Sequence, residues 1–178
     1  MPVENAAQNI FLVGLMGAGK TTIGRTLAKK LGWQFVDSDH EIEARTGVSI
    51  PTIFEIEGET GFRRRESAVI AELAAESNTV MATGGGAVLA AENREQLRSH
   101  GFVVYLDVSP AALYDRTRHD KNRPLLQVDD PLAKLRELHT VRNPLYREVA
   151  DLIVDGNRTN PQGVVQLVLR EFEKQCRP

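Results

Sequence analysis

The sequence has few of the features that mark secreted, membrane-spanning or nucleic-acid-binding proteins. Its one cysteine, Cys176, allows neither a disulfide within the chain nor a cluster of thiolate metal ligands. No apolar run approaches the roughly 20 residues that span a bilayer, and the polar first residues do not have the pattern of a signal peptide. The formal net charge of -2 argues against a general binder of nucleic acid or membrane surfaces. We therefore expect a cytoplasmic protein that binds neither nucleic acid nor membrane.

What is present is the composition of an ordinary globular protein, with 42% hydrophobic and 26% charged residues among 178. This length is enough to bury one substantial core and is short for two. No internal repeat, low-complexity segment or linker divides the sequence. We expect a single domain over residues 1–178, a monomer, and disorder in residues 1–8.

Short apolar runs alternate with helical patterns along the whole chain. Pro110, Pro131 and Pro161 each follow a residue that can cap a helix, which marks three helix starts. Alternating strands and helices imply right-handed crossovers and a parallel sheet covered on both faces. We therefore predict an α/β fold, a three-layer αβα arrangement with a parallel five-stranded sheet, with strands at residues 10–15, 33–37, 79–83, 102–108 and 151–155.

Residues 14–21 read GLMGAGKT, which fits the phosphate-binding pattern G-x-x-x-x-G-K-[ST] between a predicted strand and a predicted helix. The glycines let successive N–H groups point at phosphate oxygens, and the helix N-terminus adds partial positive charge. Lys20 is then expected at the β- and γ-phosphates, and the Thr21 hydroxyl at Mg²⁺. The pattern predicts nucleotide binding but does not indicate the acceptor.

Two carboxylates, Asp37 and Asp39, follow the second predicted strand. In open parallel sheets ligands bind beyond these strand ends, and in an extended segment both side chains would point the same way. One carboxylate would hold Mg²⁺ and the other would orient a substrate hydroxyl. The alternative interpretation is structural: Asp39 caps a helix and Asp37 is solvated.

Three further segments have a functional and a structural interpretation each. Arginines 63–65 begin a predicted helix (61–75), where the helix dipole disfavours them, so they bind an anion, pair with carboxylates or form a surface cluster. Glycines 84–86 admit a ligand close to the backbone or make a tight turn. The charged stretch 118–130 is a mobile lid or a solvated loop.

Taken together, these motifs resemble those of shikimate kinases, in the same order and at similar spacings. The resemblance rests on GLMGAGKTTIGR, DSD, GFRRRE, ATGGGAV, RPLL and RNPLY, and it extends over about residues 10–172. The phosphate loop is shared by a great many nucleoside triphosphatases and kinases, whereas the combination of the other motifs is far more specific. The resemblance implies a P-loop fold like that of nucleoside monophosphate kinases. It also implies transfer of the γ-phosphoryl group of ATP to the 3-hydroxyl of shikimate, a step of aromatic amino acid biosynthesis.

The resemblance also implies a role for each matching residue. It implies that Arg116 stacks on adenine beside residues 154–161, that Arg123 is a lid arginine in residues 118–130, and that Glu66 supports Arg63. The implied sites are ATP at Gly17, Ala18, Gly19, Lys20, Thr21, Thr22, Arg116 and Arg123; Mg²⁺ at Thr21 and Asp37; shikimate at Asp39, Arg63, Gly85 and Arg142, within a substrate region 37–66; and catalysis by Lys20, Asp39 and Arg123.

Two rival functions are compatible with the phosphate loop. Another small-molecule kinase, for gluconate or a nucleoside monophosphate, would share the fold. Aromatic residues are only 6% of the chain, which disfavours a nucleobase slot, but a gluconate kinase would also need an anion clamp. A nucleotide-dependent switch without turnover would not need the two arginines that clamp a carboxylate, Arg63 and Arg142.

Overall fold

The structure, a computed structural model, describes residues 8–121, 123–157 and 160–176, apart from the side chain of Cys176. The predictions for residues 1–7, for position 122 of the lid and for positions 158–159 of the adenine segment lie outside these ranges. The described strands are β1 (Asn9–Val13), β2 (Gln34–Asp37), β3 (Thr79–Ala82), β4 (Phe102–Asp107) and β5 (Leu152–Asp155). The described α-helices are α1 (Lys20–Leu31), α2 (Ser38–Thr46), α3 (Ile50–Ala74), α4 (Ala91–His100), α5 (Pro110–Thr117), α6 (Pro131–Val149) and α7 (Pro161–Cys176), with short 3-10 turns at Ala87–Leu89 and Pro124–Leu126.

The strands form one parallel sheet in the order β2-β3-β1-β4-β5. Every residue of β1 and β3 is buried, as expected for continuous apolar runs covered by helices on both faces. Helix α1 packs beside α7, while α4 packs beside both α3 and α6. The predicted α/β fold with a parallel five-stranded sheet is confirmed. Because β3 and β4 flank β1 on opposite sides, the loop after β1 opens at the point where the strand order reverses, which is where such sheets bind ligands.

The predicted helix starts are confirmed by their caps. The Ser109 side chain accepts a hydrogen bond from Ala112 N at 3.3 Å, and the Asp130 side chain accepts one from Ala133 N at 3.0 Å. Asn160 Oδ1 accepts one from the N–H of residue 163 at 2.7 Å. Each cap satisfies a backbone donor that the first helical turn cannot pair internally.

Two helices differ from the prediction. Helix α3 begins at Ile50 rather than at residue 61, because the Ser49 side chain caps it and accepts from Thr52 N. Its backbone leaves helical angles at Gly58 (φ 71°, ψ 178°) and then becomes helical again, so Gly58 interrupts the helix, and residue 61 lies inside it. Helix α2 follows β2 immediately. The segment after Asp37 was expected to be extended, but it is helical.

No helix among the described residues is long and apolar enough to cross a membrane.

A buried asparagine, Asn9, joins the sheet to two neighbouring helices at the N-terminal ends of the central strands. Asn9 is 1% exposed, and its Nδ2 lies 2.7 Å from Glu76 O, 3.1 Å from His100 O and 3.4 Å from Ala74 O. Its Oδ1 accepts from Thr79 N at 3.1 Å. One side chain therefore joins β1 and β3 to the ends of α3 and α4.

Asn9→Ala is expected to lower the free energy of unfolding by about 3 kcal/mol, because several buried backbone groups lose their partner. Urea unfolding measures this loss. The matched control is Asn78→Asp at an exposed position with φ 55°, where we expect less than about 0.5 kcal/mol. A similar small loss for Asn9→Ala would show that these hydrogen bonds add nothing.

Candidate active site

The loop between β1 and α1 has the geometry of a phosphate cradle. Gly17 (φ 83°) and Gly19 (φ 98°) adopt left-handed backbone angles that side chains rarely allow. Gly19 is the N-cap residue of α1, and no side chain caps the helix there. The first N–H groups of α1 are therefore left for a ligand, at the positive end of the helix dipole.

Lys20 lies in the first turn of α1 and folds back over the loop. Its side chain is almost buried, and its Nζ donates to Gly14 O at 2.6 Å and to Leu15 O at 2.9 Å. Burial lowers the pKa of Lys20 to about 8, and the positive charge of Arg123 acts in the same direction. A bound phosphate would place negative charge beside this ammonium and so favour its charged form.

Thr21 and Asp37 come together although they belong to different elements. Thr21 Oγ1 donates to Asp37 Oδ2 at 3.0 Å. Asp37 also caps α2, since its Oδ1 accepts from Asp39 N at 3.0 Å and from His40 N at 3.2 Å. The structural alternative is therefore wrong in detail, because the cap is Asp37 and not Asp39. A negative carboxylate is also favourable at a helix N-terminus.

The pairing of Thr21 with Asp37 also bears on metal binding. A hydroxyl and a carboxylate are the oxygen ligands that Mg²⁺ prefers, together with water and nucleotide phosphates. Within the described residues, no group of three or more His, Cys, Asp or Glu side chains could hold a metal. The residues therefore fit a Mg²⁺ that arrives with a nucleotide better than one held by a protein cage.

Asp39 and Glu66 meet over the backbone of Gly84. A Cβ placed on Gly84 would lie 2.5 Å from Asp39 Oδ1 and 2.8 Å from Glu66 Oε2. Burial raises the pKa of Asp39 to about 6, and the charge of Asp37 adds to this shift. Burial also raises the pKa of Glu66 to about 7, although Arg63 opposes the shift. Burial therefore favours the protonated form of both acids more than it is favoured in water.

Glu66 makes the stability of the fold depend on pH. Because its pKa rises from 4.5 unfolded to about 7 folded, the folded chain holds this proton more tightly. The resulting stability is fully present below about pH 4.5 and is lost as the pH rises to about 7. We expect the free energy of unfolding of Glu66→Gln, relative to the original chain, to rise by on the order of 2 kcal/mol between about pH 5 and about pH 8. Urea unfolding at both pH values measures it.

Glu173→Gln, at an exposed position of α7, is the matched control and should show no such change with pH. A Glu66→Gln difference that stays flat, or that falls as the pH rises, would contradict the burial argument.

The arginines of α3 are compensated by carboxylates. Arg63 Nη1 donates to Glu66 Oε1 at 3.1 Å, and Arg63 Nη2 donates to Glu59 Oε1 at 3.2 Å. Arg65 forms a two-pronged pair with Glu57 across the interruption at Gly58, with a shortest distance of 2.6 Å. The predicted carboxylate partners are therefore present for both arginines. Arg63 faces the cleft, while the more exposed Arg65 holds the two parts of α3 together.

The three glycines after β3 make room for charged side chains. None of the three has a left-handed φ, so backbone conformation does not explain why glycine stands at these positions. A Cβ added to Gly86 would overlap the Arg63 guanidinium. A Cβ added to Gly85 would lie 3.3 Å from Arg142 Nη1. In this structure the groups that come close to the glycine backbone are therefore the protein's own arginine side chains, where a ligand had been predicted.

Four buried side-chain atoms in this region have no hydrogen-bond partner among the described residues. Two are guanidinium nitrogens, Arg63 Nε and Arg142 Nη1, and two are carboxylate oxygens, Asp39 Oδ1 and Glu66 Oε2. Buried polar atoms are nearly always paired, and Arg142 is only 3% exposed. A small ligand that carries both a carboxylate and hydroxyl groups would satisfy such a set.

Two more arginines lie at the other end of the cleft, near the phosphate loop. Arg116 Nη1 donates to Gly17 O at 3.1 Å, and Arg123 Nε donates to Asp120 Oδ2 at 3.0 Å. Both side chains line the cleft beside Lys20. The nucleotide end of the site is thus cationic, whereas the acceptor end holds acids and arginines together.

The cleft has a volume of about 490 Å³. Ala18 is buried and does not line it, although it was predicted at the ATP site. The predicted site residues that line it are Gly17, Gly19, Lys20, Thr21, Thr22, Asp37, Asp39, Arg63, Gly85, Arg116, Arg123 and Arg142.

The sequence interpretation missed an apolar wall of the cleft. Ile50, Phe54 and Phe62 line it, and the rings of the two phenylalanines are 4.9 Å apart. Ile50 and Phe54 are four residues apart and so share one face of α3. That spacing was a usable signal, but it was lost because the helix was predicted to start later.

Comparisons with known proteins agree with this geometry. A family profile described as shikimate kinase matches residues 16–173. A shikimate kinase from Dechloromonas aromatica is 65% identical over 167 residues, which cover 94% of this chain and 91% of that protein. The structure of a shikimate kinase from Acinetobacter baumannii in complex with shikimate is 52% identical, with a TM-score of 0.92 over 97% of this chain and 96% of that one.

A gluconokinase from Sinorhizobium meliloti is similar in fold alone, with 18% identity and a TM-score of 0.57 over 96% of this chain and 94% of that one. The gluconate alternative therefore gains no support beyond the shared architecture. Since a profile and close relatives match nearly its whole length, the chain belongs to the shikimate kinase family, which confirms the resemblance predicted from its motifs.

Proposed function

We propose that this chain transfers the γ-phosphoryl group of ATP to the 3-hydroxyl of shikimate, giving 3-phosphoshikimate and ADP. The observation that carries the assignment of the acceptor end is the set of buried, unpartnered atoms on Asp39, Arg63, Glu66 and Arg142. Shikimate is a small ring that bears a carboxylate and neighbouring hydroxyl groups. It therefore offers acceptors to the guanidinium N–H groups and donors to the carboxylate oxygens.

Arg63 and Arg142 hold the shikimate carboxylate in this proposal. Their guanidinium groups come from different helices, and charge-assisted hydrogen bonds to a carboxylate are among the strongest in proteins. Glu59 and Glu66 fix the orientation of Arg63 before the substrate arrives. The N–H of Gly85 is proposed as a further donor to the substrate. A ring fixed at its carboxylate has little freedom left to lose at the transition state.

Asp39 orients the acceptor hydroxyl and receives its proton. The hydroxyl oxygen attacks the γ-phosphorus, the bond from that phosphorus to the bridging oxygen breaks, and ADP leaves with the electron pair. The proton passes from the hydroxyl to the Asp39 carboxylate. A base works best when its pKa lies near the working pH, and burial raises the pKa of Asp39 to about 6.

The phosphate loop and Lys20 hold the transferring group at the other end of the cleft. The backbone N–H groups of residues 17–22 surround the phosphates, and Lys20 exchanges its contacts with Gly14 O and Leu15 O for phosphate oxygens. Thr21 and Asp37 would hold Mg²⁺, directly or through water, and Mg²⁺ when bound neutralises charge on the phosphate oxygens. Positioning and charge supply most of the catalysis of phosphoryl transfer.

Residues 118–130 are proposed as a lid over the nucleotide. Arg123 now pairs with Asp120, and in the closed state it would turn to the phosphoryl oxygens while Arg116 stacks on adenine. Closure would exclude water, which otherwise competes with the acceptor hydroxyl. The adenine segment 154–161, the monomeric state, the single domain over 1–178 and the cytoplasmic location stay predictions.

The position of the new phosphate on the product tests the proposed reaction. The chain is incubated with ATP, Mg²⁺ and shikimate, and the product is analysed by proton–phosphorus correlation NMR. We expect coupling of the phosphorus to the proton on ring carbon 3, and no product without the divalent ion. Phosphate on another ring position would overturn the proposed orientation of the acceptor by Asp39.

A further inference from the structure

Tyr146 connects the helix that carries Arg142 to the glycine segment 84–86. It lies one turn after Arg142 on α6, so both side chains share one face of the helix. Its side chain is completely buried, and its hydroxyl donates to Gly85 O. This hydrogen bond bridges two elements that the proposed reaction needs, although Tyr146 does not line the cleft.

The helix needs such an anchor at this point. Pro144 lies inside α6 between Arg142 and Tyr146. Proline has no N–H, so the helix lacks its usual hydrogen bond to the carbonyl of Thr140, and the local turn is weakened. The position of Arg142 therefore depends more than usual on side-chain contacts. The Tyr146 ring holds this part of the helix in place by packing on Tyr105, with centroids 4.8 Å apart.

The hydroxyl of Tyr146 is also a neighbour of the Arg142 guanidinium. Burial raises the pKa of Tyr146 above its ordinary value, and the positive charge of Arg142 opposes this shift. A Cβ on Gly85 would lie 3.3 Å from Arg142 Nη1. Hydroxyl, carbonyl and guanidinium thus form one cluster. A tyrosine hydroxyl can donate one hydrogen bond and accept others, which suits this arrangement.

We propose that Tyr146 is a positioning residue: its hydroxyl fixes the Arg142 guanidinium and the Gly85 peptide in the orientation that receives the carboxylate of the acceptor. This inference rests on the proposed function. Tyr146 acts through Arg142 and Gly85 and does not touch the reacting atoms. Removing the hydroxyl leaves the Gly85 carbonyl without its buried partner and lets the guanidinium rotate away from its binding position.

Tyr146→Phe tests the role of the hydroxyl, because the ring and its packing on Tyr105 remain. We expect the KM for shikimate to rise about tenfold, while kcat and the KM for ATP change by less than about threefold. A purely structural role would lower the unfolding temperature and leave the KM for shikimate unchanged. That result would overturn the proposal.

Tyr105→Phe is the matched control. Tyr105 is the other member of the stacked pair and is equally buried, but its hydroxyl lies near Asn143 Oδ1 (2.9 Å) and Asp107 Oδ1 (3.2 Å), away from Gly85. We expect its KM for shikimate to stay within about twofold of the original chain. An equal rise in both variants would overturn the proposal, since it would show a general effect of loosening the stack.

A double-mutant cycle with Arg142→Lys separates action through Arg142 from an independent effect. If Tyr146 positions Arg142, the fold-changes in KM of the two single variants should not multiply in the double variant, because the second change removes what the first disturbs. Fold-changes that multiply contradict the proposal. Failure of the proposed function is distinguishable, since the original chain itself would then show no shikimate-dependent turnover.

Discussion

Lys20→Met is expected to lower kcat about 1,000-fold, with the fold intact. In the proposed reaction the ammonium group contacts the transferring phosphoryl group, and methionine has a similar length without the charge. Burial lowers the pKa of Lys20 to about 8, so without a bound nucleotide the charged form of Lys20 destabilises the folded chain. Removing this buried charge should therefore not lower the free energy of unfolding. Steady-state kinetics with thermal unfolding measure both quantities.

Lys29→Met provides the control, because Lys29 lies on the same helix and is exposed. Its kcat should stay within about twofold of the original value. A kcat for Lys20→Met that matches the original chain would contradict the assignment of the phosphate cradle. A kcat loss that accompanies unfolding would contradict the claim that Lys20 serves the reaction and not the fold.

Arg142→Ala should raise the KM for shikimate about 100-fold and leave the KM for ATP nearly unchanged. Arg142 is 3% exposed and has a guanidinium nitrogen without a partner among the described residues, and in the proposed function the shikimate carboxylate supplies that partner. A charged hydrogen bond of this kind contributes about 1.5–3 kcal/mol, which corresponds to a factor of about ten to a hundred or more. Initial rates at varied shikimate concentration measure the effect.

Arg147→Ala tests whether any arginine on α6 would give this result. Arg147 is half exposed and contacts Asp107 and Asn143, not the cleft. We expect its KM for shikimate to change by less than about twofold. An unchanged KM in Arg142→Ala, or equal increases in both variants, would remove Arg142 from the substrate site.

The parts of the fold and site that depend on local chemistry were predictable from the sequence. The phosphate loop needs glycines followed by lysine and threonine in consecutive positions, so the pattern of residues 14–21 identified it. The helix caps at Ser109, Asp130 and Asn160 were also predictable, because a cap and the N–H it accepts from are three residues apart.

The parts that depend on contacts between distant residues were not predictable in the same way. The start of α3 was placed at residue 61, too late, because the helix continues past a break at Gly58, across which Glu57 pairs with Arg65. The glycines after β3 give no sequence signal of the arginine that fills the space beside them. The same holds for Tyr146, whose partner Gly85 is 61 positions away in the chain.

The release of ADP with different acceptors shows whether this chain is a kinase and which acceptor it uses. Shikimate, gluconate, AMP and no acceptor are compared under identical conditions, with ATP and Mg²⁺ present throughout. We expect strong ADP release with shikimate and only background release in the other three reactions. Strong release with gluconate or AMP and none with shikimate would contradict the assignment of the acceptor, and background release in all four would contradict the kinase activity itself.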